Sequence, residues 1–398
     1  MMPAEVYTEI TAVFTAFAAV LSSKKTAELA RKKKSDFTRS GIGKLPLYRL
    51  LVYVIFRNCK DTTSELSKFF SSINENSQRP SRQAANKRLR CLNYNVWPYL
   101  SKEFSKLFYA SKTIVRTVKG FVVLAADSSS LEMPYSQAAA DQFGFRRSNH
   151  VKAASDSGKI LVRCGGLYDV VNHLYVDYEI NSCAKSETEI LSEQLRAFKP
   201  TLENRKKIIL GDRGYVSLSV MALAQMQGYH FCIRAKKSTY KAEVGRMSTN
   251  DEYVDIKLDR TDFSRIRDEE VRTYLAGAKF FRVRVVKKYW TNPETGAQEL
   301  IIYFTNLSPE EFGSNDIVDL YSQRWAIEQG YATLKTVLEL ERHVSLDPTI
   351  AVNMLYGKIM FYNFCALFRE QLELILPVDD QRISPKSGTE KKKHMYTR

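Results

Sequence analysis

Histidine is scarce in this chain, five in 398 residues, and no two of them stand in an HxxxH spacing. That removes the usual helical zinc motif. Cysteine offers no substitute, because Cys59, Cys91, Cys164, Cys183, Cys232 and Cys365 contain no CxxC pair. Neither a zinc ribbon nor a disulfide framework fits such scatter, whereas a reducing cytoplasm does. No apolar run approaches the ~18 residues of a membrane-spanning helix. The best candidate, AVFTAFAAVL at 12–21, has no basic residue before it as a signal peptide requires, so a buried helix and no membrane partner are expected.

Positive charge, by contrast, is abundant. Lys and Arg number 60 against 44 Asp and Glu, a net charge of +16 that points to a polyanion, with nucleic acid ahead of membrane. A length of 398 residues with 44% hydrophobic content supports a large core and two or three domains.

Residues 1–115 read as helical and basic. KKTAELARKKK at 24–34 carries six cations against one acid and is either a phosphate contact or a solvated connection. LPLYRLLVYVIFRN at 45–58 reads as a buried helix. SRQAANKRLRCL at 81–92 opens on the N-cap Ser81 and carries Arg82, Lys87, Arg88 and Arg90. It resembles the second helix of a helix-turn-helix, so Arg82, Lys87 and Arg88 are candidate DNA contacts.

At Gly120 the pattern changes. FVVLAADSSS is a β-rich run with Asp127 just past its last apolar residue, where α/β sheets place their ligands. KILVRCGGLYDV (159–170) and HLYVDYEI (173–180) alternate as a hairpin does. Ser186 and Glu189 form a capping box that opens a helix to about residue 197. KKIILGDRGY then gives a short strand with Asp212 beyond its end, followed by a helix (about 216–228) and a strand (229–235). A β-rich insertion with a long hairpin, FFRVRVVKKYW and ELIIYFTN about the turn TNPETGA, occupies about 236–299. Beyond 370 periodicity fades, and the basic stretch 371–398 reads as a disordered tail.

Residues 314–345 read as one helix, with Ser314, Asn315 or Asp316 as its cap. At about 100° per residue, Tyr321, Arg324, Glu328 and Lys335 fall within roughly 60° of one another on its surface. Arg324 and Glu328 alone would pass for an exposed ion pair. A carboxylate flanked by cations on one face also suits a site that handles a metal ion and phosphates together.

The spacing Tyr-x2-Arg-x3-Glu-x6-Lys, with the LYDVVN hairpin and Asp212-Arg213-Gly214-Tyr215, resembles the IS4-family DDE transposases over about 115–370. The resemblance implies a helical N-terminal DNA-binding domain (1–115) and an RNase H-like mixed α/β sheet flanked by helices (116–370). It places the β-rich insertion between the second Asp and the Glu. It also implies Asp127, Asp212 and Glu328 as catalytic and metal-holding acids, with Asp127 bridging two Mg²⁺ ions for which Mn²⁺ substitutes. Hard oxygen donors suit that ion. Tyr321, Arg324 and Lys335 would hold backbone phosphates, with Arg213 either assisting or bound in a structural salt bridge. Trp290 would stack a displaced base or pack the insertion's own core. Glu132, Asp141, Asp156, Asp169 and Glu339 read as structural or solvent-facing. Glycine at Gly330 costs ~1 kcal/mol against alanine, so a bend is expected near it.

The implied activity is cut-and-paste transposition on terminal inverted repeats and target DNA, by a homodimer in the synaptic complex, on the cytoplasmic nucleoid. An inactive or domesticated DNA-binding copy, or another RNase H-like nuclease, is the alternative. Intact acids and the complete Tyr-Arg-Glu-Lys set favour the active enzyme.

Overall fold

The computed structural model describes residues 4–38, 45–57, 61–75, 79–145, 159–202, 204–259, 263–264, 266–291, 296–342 and 345–375. Asp156, most of the TNPETGA turn and the basic tail from residue 376 lie outside them.

Six helices come first: α1 (Ala4–Leu21), α2 (Lys24–Leu29), α3 (Leu47–Ile55), α4 (Thr62–Ser72), α5 (Arg82–Cys91) and α6 (Val96–Ala110). β1 (Phe121–Met133), α7 (Gln137–Phe143), β2 (Ile160–Asp169), β3 (Leu174–Ser182) and α8 (Glu187–Phe198) follow. Next are β4 (Lys206–Gly211), α9 (Leu218–Met226), β5 (His230–Ala235), α10 (Lys241–Gly245), β6 (Asp251–Lys257) and α11 (Glu269–Leu275). The chain closes with β7 (Phe280–Thr291), β8 (Gln298–Thr305), α12 (Ser314–Ser322), α13 (Trp325–Thr336) and α14 (Pro348–Ile375).

The fold is mixed α/β on one eight-stranded sheet, in the order β3-β2-β1-β4-β5-β8-β7-β6. β1, β4 and β5 run parallel, and their core is nearly continuous apolar sequence because helices cover both faces. The remaining pairs are antiparallel. The hairpin of the 236–299 stretch adds to this same sheet, because β8 pairs with β5 from Cys232↔Thr305 to Ala235↔Ile302.

The helices of residues 1–115 pack on the C-terminal helix and on β3. α14 rests on α3 and α5, and α6 lies against α1 and β3. Trp97 donates its indole N–H to Asn353 Oδ1 (2.7 Å), and Asn353 donates to the Leu92 carbonyl (3.1 Å). A buried polar pair of this kind fixes the register of two helices because neither partner can leave without orphaning the other.

Two described helices are long and apolar enough to cross a membrane by length and composition, α1 and residues 348–368 of α14. This corrects the sequence reading, in which a count of uninterrupted apolar residues stops at each polar one while average hydropathy does not. Residues 348–368 are mostly buried inside the protein, and α1 turns Ile10, Val13, Phe17 and Leu21 inward.

The stretch expected as a single helix is two. α12 ends at Ser322, Gln323 and Arg324 form a turn, and α13 stops at Thr336. The break therefore comes ahead of Gly330. That glycine makes room instead: a Cβ there would meet the Tyr175 hydroxyl at 3.0 Å and the Tyr168 ring at 3.1 Å. α12 begins after Gly313, whose N–H goes to Asp316 Oδ2 (2.9 Å), while Ser314 gives its hydroxyl to Asp251 Oδ2 (2.7 Å). Asp251 also holds Arg284, which is fully buried and donates to the Leu307 and Phe312 carbonyls. This cluster ties the hairpin to the start of α12.

In the centre of β2, Gly165 and Gly166 let two layers approach the sheet. A Cβ at Gly165 would lie 2.5 Å from Ile190 of α8, and one at Gly166 would lie 2.7 Å from the Tyr331 hydroxyl of α13.

Candidate active site

β1 and β4 pair in parallel from Phe121↔Lys206 to Ala125↔Leu210. Asp127 and Asp212 each follow that last pair by two residues, so they stand side by side where the parallel ladder ends. Asp212 lies just past β4 as expected. Asp127 lies inside its strand rather than at its end, because β1 continues to Met133 paired with β2 alone.

Glu328 reaches the same place from α13. Arg324 makes the link, with its guanidinium 3.7 Å from Asp127 Oδ2 and hydrogen-bonded to Glu328 Oε1. Tyr331, one turn further along, donates to the Asp127 carbonyl (3.2 Å) and the Cys164 carbonyl (3.0 Å), fixing the helix on the sheet. Lys335 donates to the Ser130 carbonyl (3.1 Å). Burial pushes the Asp127 carboxyl up to about 6, and the neighbouring charges of Asp212 and Glu328 push the same way. The Ser128 N–H and Arg324 oppose the rise.

Tyr321 is buried on α12 and packs on Tyr303 at 5.0 Å between ring centroids. With Arg234, Ser322, Arg324, Trp325 and Glu328 it lines a cavity of about 100 Å³. Arg234 of β5 was not a candidate by sequence, since a lone arginine in an apolar strand carries no spacing signal. It and Arg213 both pair with Glu299 of β8, at 3.1 and 3.5 Å. Arg213 is thus in a salt bridge to the hairpin. Trp290 pairs across from Glu299 in the β7–β8 ladder, is half-buried, and among the described residues is not part of the main hydrophobic core.

On α5, Arg82 and Lys87 are exposed. Arg88 turns inward: its Nε donates to the Leu45 carbonyl (3.2 Å) and its guanidinium sits 4.6 Å from the Phe37 ring centroid.

One acid was missed altogether. Glu187, the first residue of α8, accepts a hydrogen bond from Ser128 Oγ (2.5 Å). Burial, then the charges of Asp127, Glu187 and Asp212, raises the Tyr215 phenol well above its ordinary value. In the sequence Glu187 passes for a first-turn acid favoured by the helix dipole.

Among the described residues, no three His, Cys, Asp or Glu side chains converge tightly enough to hold an ion as they stand. Arg324 stands between two of the acids, its guanidinium paired with Asp127 and Glu328. The donors are all carboxylate oxygens, and Gly214 keeps a side chain out of the space beside Asp212. That set fits a hard divalent cation.

Comparison with known proteins gives a concordant result. Residues 119–364 match the transposase DDE domain family. The chain is 21% identical over 387 residues to the transposase for insertion sequence element IS1151 of Clostridium perfringens, covering 86% of this chain and 78% of that protein. It is 25% identical over 202 residues to the transposase InsG for insertion sequence element IS4 of Escherichia coli (strain K12), covering 49% of this chain and 41% of that protein. A cryo-EM structure of a piggyBac transposase synaptic complex with hairpin DNA aligns with a TM-score of 0.38 at 10% identity, covering 87% of this chain and 68% of that one.

Proposed function

Because this chain belongs to the transposase DDE domain family, and is a DNA-cleaving, strand-transferring enzyme of the IS4 type, we propose that Asp127, Asp212 and Glu328 are its catalytic acids. The observation that carries this is the position of Asp127 and Asp212, each two residues past the last β1–β4 pair, with Glu328 joined to Asp127 through Arg324. The family depends on divalent metal. Two Mg²⁺ ions, with Mn²⁺ as substitute, are the specific reading here, held by the three acids with Asp127 shared. When bound they supply an activated oxygen nucleophile and neutralise the departing one.

The chain's own residues do the positioning. Arg324 leaves its internal ion pairs for a backbone phosphate and thereby opens Asp127 and Glu328 to metal. Lys335 offers a point charge about two turns past Glu328, and Tyr321 reaches phosphate through the small cavity it lines. Arg213 contributes when it leaves Glu299. Trp290 stacks a displaced base beside Lys287 and Lys288. Arg82 and Lys87 on α5 meet phosphates or base edges of the terminal inverted repeats, and target DNA follows as second partner. The strand order of β1–β5 supports an RNase H-like sheet, and work on paired ends calls for a homodimer on the cytoplasmic nucleoid.

The test is cleavage of end-bearing DNA by Asp127→Ala, Asp212→Ala and Glu328→Ala. Each is expected to bind DNA normally and cut none. Cutting by any one of them removes that residue from the site.

A further inference from the structure

We propose that Glu187 is a fourth carboxylate of the catalytic centre, a positioning residue that holds the cation carried by Asp212. The proposal rests on the metal-binding reading above and adds a residue to it.

Three observations converge. Glu187 Oε1 is fixed by the Ser128 hydroxyl at 2.5 Å, and Ser128 is the chain neighbour of Asp127. The other oxygen, Oε2, shares a neighbour with Asp212: a Cβ placed on Gly214 would lie 3.8 Å from Glu187 Oε2 and 3.3 Å from Asp212 Oδ1. Two carboxylate oxygens from different elements therefore flank one small space that only glycine leaves clear. Gly214 N–H itself donates to Asp212 Oδ1 (2.8 Å), which orients that carboxylate along the same gap.

Like charges so placed repel unless a cation stands between them. Mg²⁺ keeps several of its waters when bound by proteins, and a carboxylate one water away orients those waters and the ligand opposite. In the proposed centre Glu187 takes that part beside Asp212. A purely structural Glu187 would need only its bond to Ser128, which glutamine reproduces; the charge would then be dispensable. The two roles differ in whether charge matters.

The experiment counts Mn²⁺ bound to the full-length, DNA-free protein by electron paramagnetic resonance, with Mg²⁺ competition and with melting temperatures taken without metal. Glu187→Gln keeps the shape and the Ser128 contact and is expected to weaken Mn²⁺ affinity about 10-fold or more, in the range found for groups behind metal ligands. Glu187→Asp keeps the charge and should retain Mn²⁺ better than Glu187→Gln does. That difference decides the matter if Glu187→Gln melts early. Unchanged Mn²⁺ affinity in the variants, alongside its loss in Asp212→Asn, overturns the role of Glu187 and leaves the three-acid site standing. A wild-type protein that binds no Mn²⁺ overturns both.

Discussion

Asp127 and Asp169 lie on neighbouring strands of one sheet, both with little access to water, yet their surroundings are opposite. Asp169 accepts from the Tyr109 hydroxyl (2.7 Å), the Val171 and Asn172 N–H groups (3.0 and 2.9 Å) and the Asn172 amide (2.7 Å). Burial raises its carboxyl, and those donors hold the rise back. Asp127 accepts one backbone N–H, from Ser128 (2.8 Å), and faces Arg324 at 3.7 Å. The first acid is saturated by protein and pins the β2–β3 turn. The second keeps open lone pairs beside two other acids, an arrangement that stability alone disfavours. On the proposed reading, the difference between a structural and a chemical carboxylate here lies in how many donors the fold provides.

The largest expected contrast comes from deleting each. Asp127→Ala should reduce strand cleavage at least about 1000-fold, equivalent to ~4 kcal/mol of barrier, while the protein stays folded. Asp169→Ala should cost about 3 kcal/mol of stability by orphaning buried donors, with cleavage per folded molecule retained. Cleavage rates and denaturant midpoints on both variants check this, and a folded but inactive Asp169→Ala would erase the distinction.

Asp177 sharpens the comparison, because it is buried and, among the described residues, Oδ2 has no partner and Oδ1 accepts only the Tyr178 N–H (3.1 Å). Burial pushes its carboxyl up to about 7. Between the ordinary carboxylate range and pH 7 the folded state holds a proton that the unfolded chain has lost, so stability must fall as pH rises through that window. Asp177→Asn should therefore stabilise the protein at pH 8 by about 2–4 kcal/mol and change little at pH 4. Denaturation at the two pH values measures it, and equal effects at both would mean the charge is not what strains the site.

A smaller effect is expected at Trp290. Its loss to alanine should slow end cleavage about 10- to 100-fold, since base stacking is worth ~1–3 kcal/mol. The melting temperature should hold, because Trp290 lies outside the core. Trp290→Phe should recover much of the rate, and a substrate abasic next to the cut should rescue Trp290→Ala. A lowered melting point with no rescue makes Trp290 structural.

Smallest are the cations of α5. Lys87→Ala should weaken DNA binding and reduce the logarithmic salt slope by about 0.9. Arg88→Ala should instead cost about 1 kcal/mol of folding stability, through the Leu45 and Phe37 contacts. Equal salt slopes for both variants would show that the inward and outward cations act alike.

Much of the frame was legible because its signals are local. The run FVVLAAD, the alternation of β2 and β3, the Ser186 capping box and the strand before Asp212 each state their element within ten residues or so. What escaped reading depends on distant partners. The continuity of the hairpin with the main sheet is a β5–β8 pairing across some seventy residues, which leaves no local pattern. The turn at Gln323–Arg324 contains neither proline nor glycine, the residues that ordinarily announce a break. Glu187 and Arg234 are ordinary in sequence and meet the site only through the fold.

Gly165 and Gly166 act as a clearance gauge for the whole centre. One sets how near α8 can come on one face of β2, and the other sets how near α13 can come on the opposite face. α8 carries Glu187 and α13 carries Glu328, so in the proposed centre the spacing of these two acids depends on two missing methyl groups. Enlarging either glycine would displace an acid without altering any residue that touches it. Variation in such a chain is therefore constrained at positions that have no chemistry of their own.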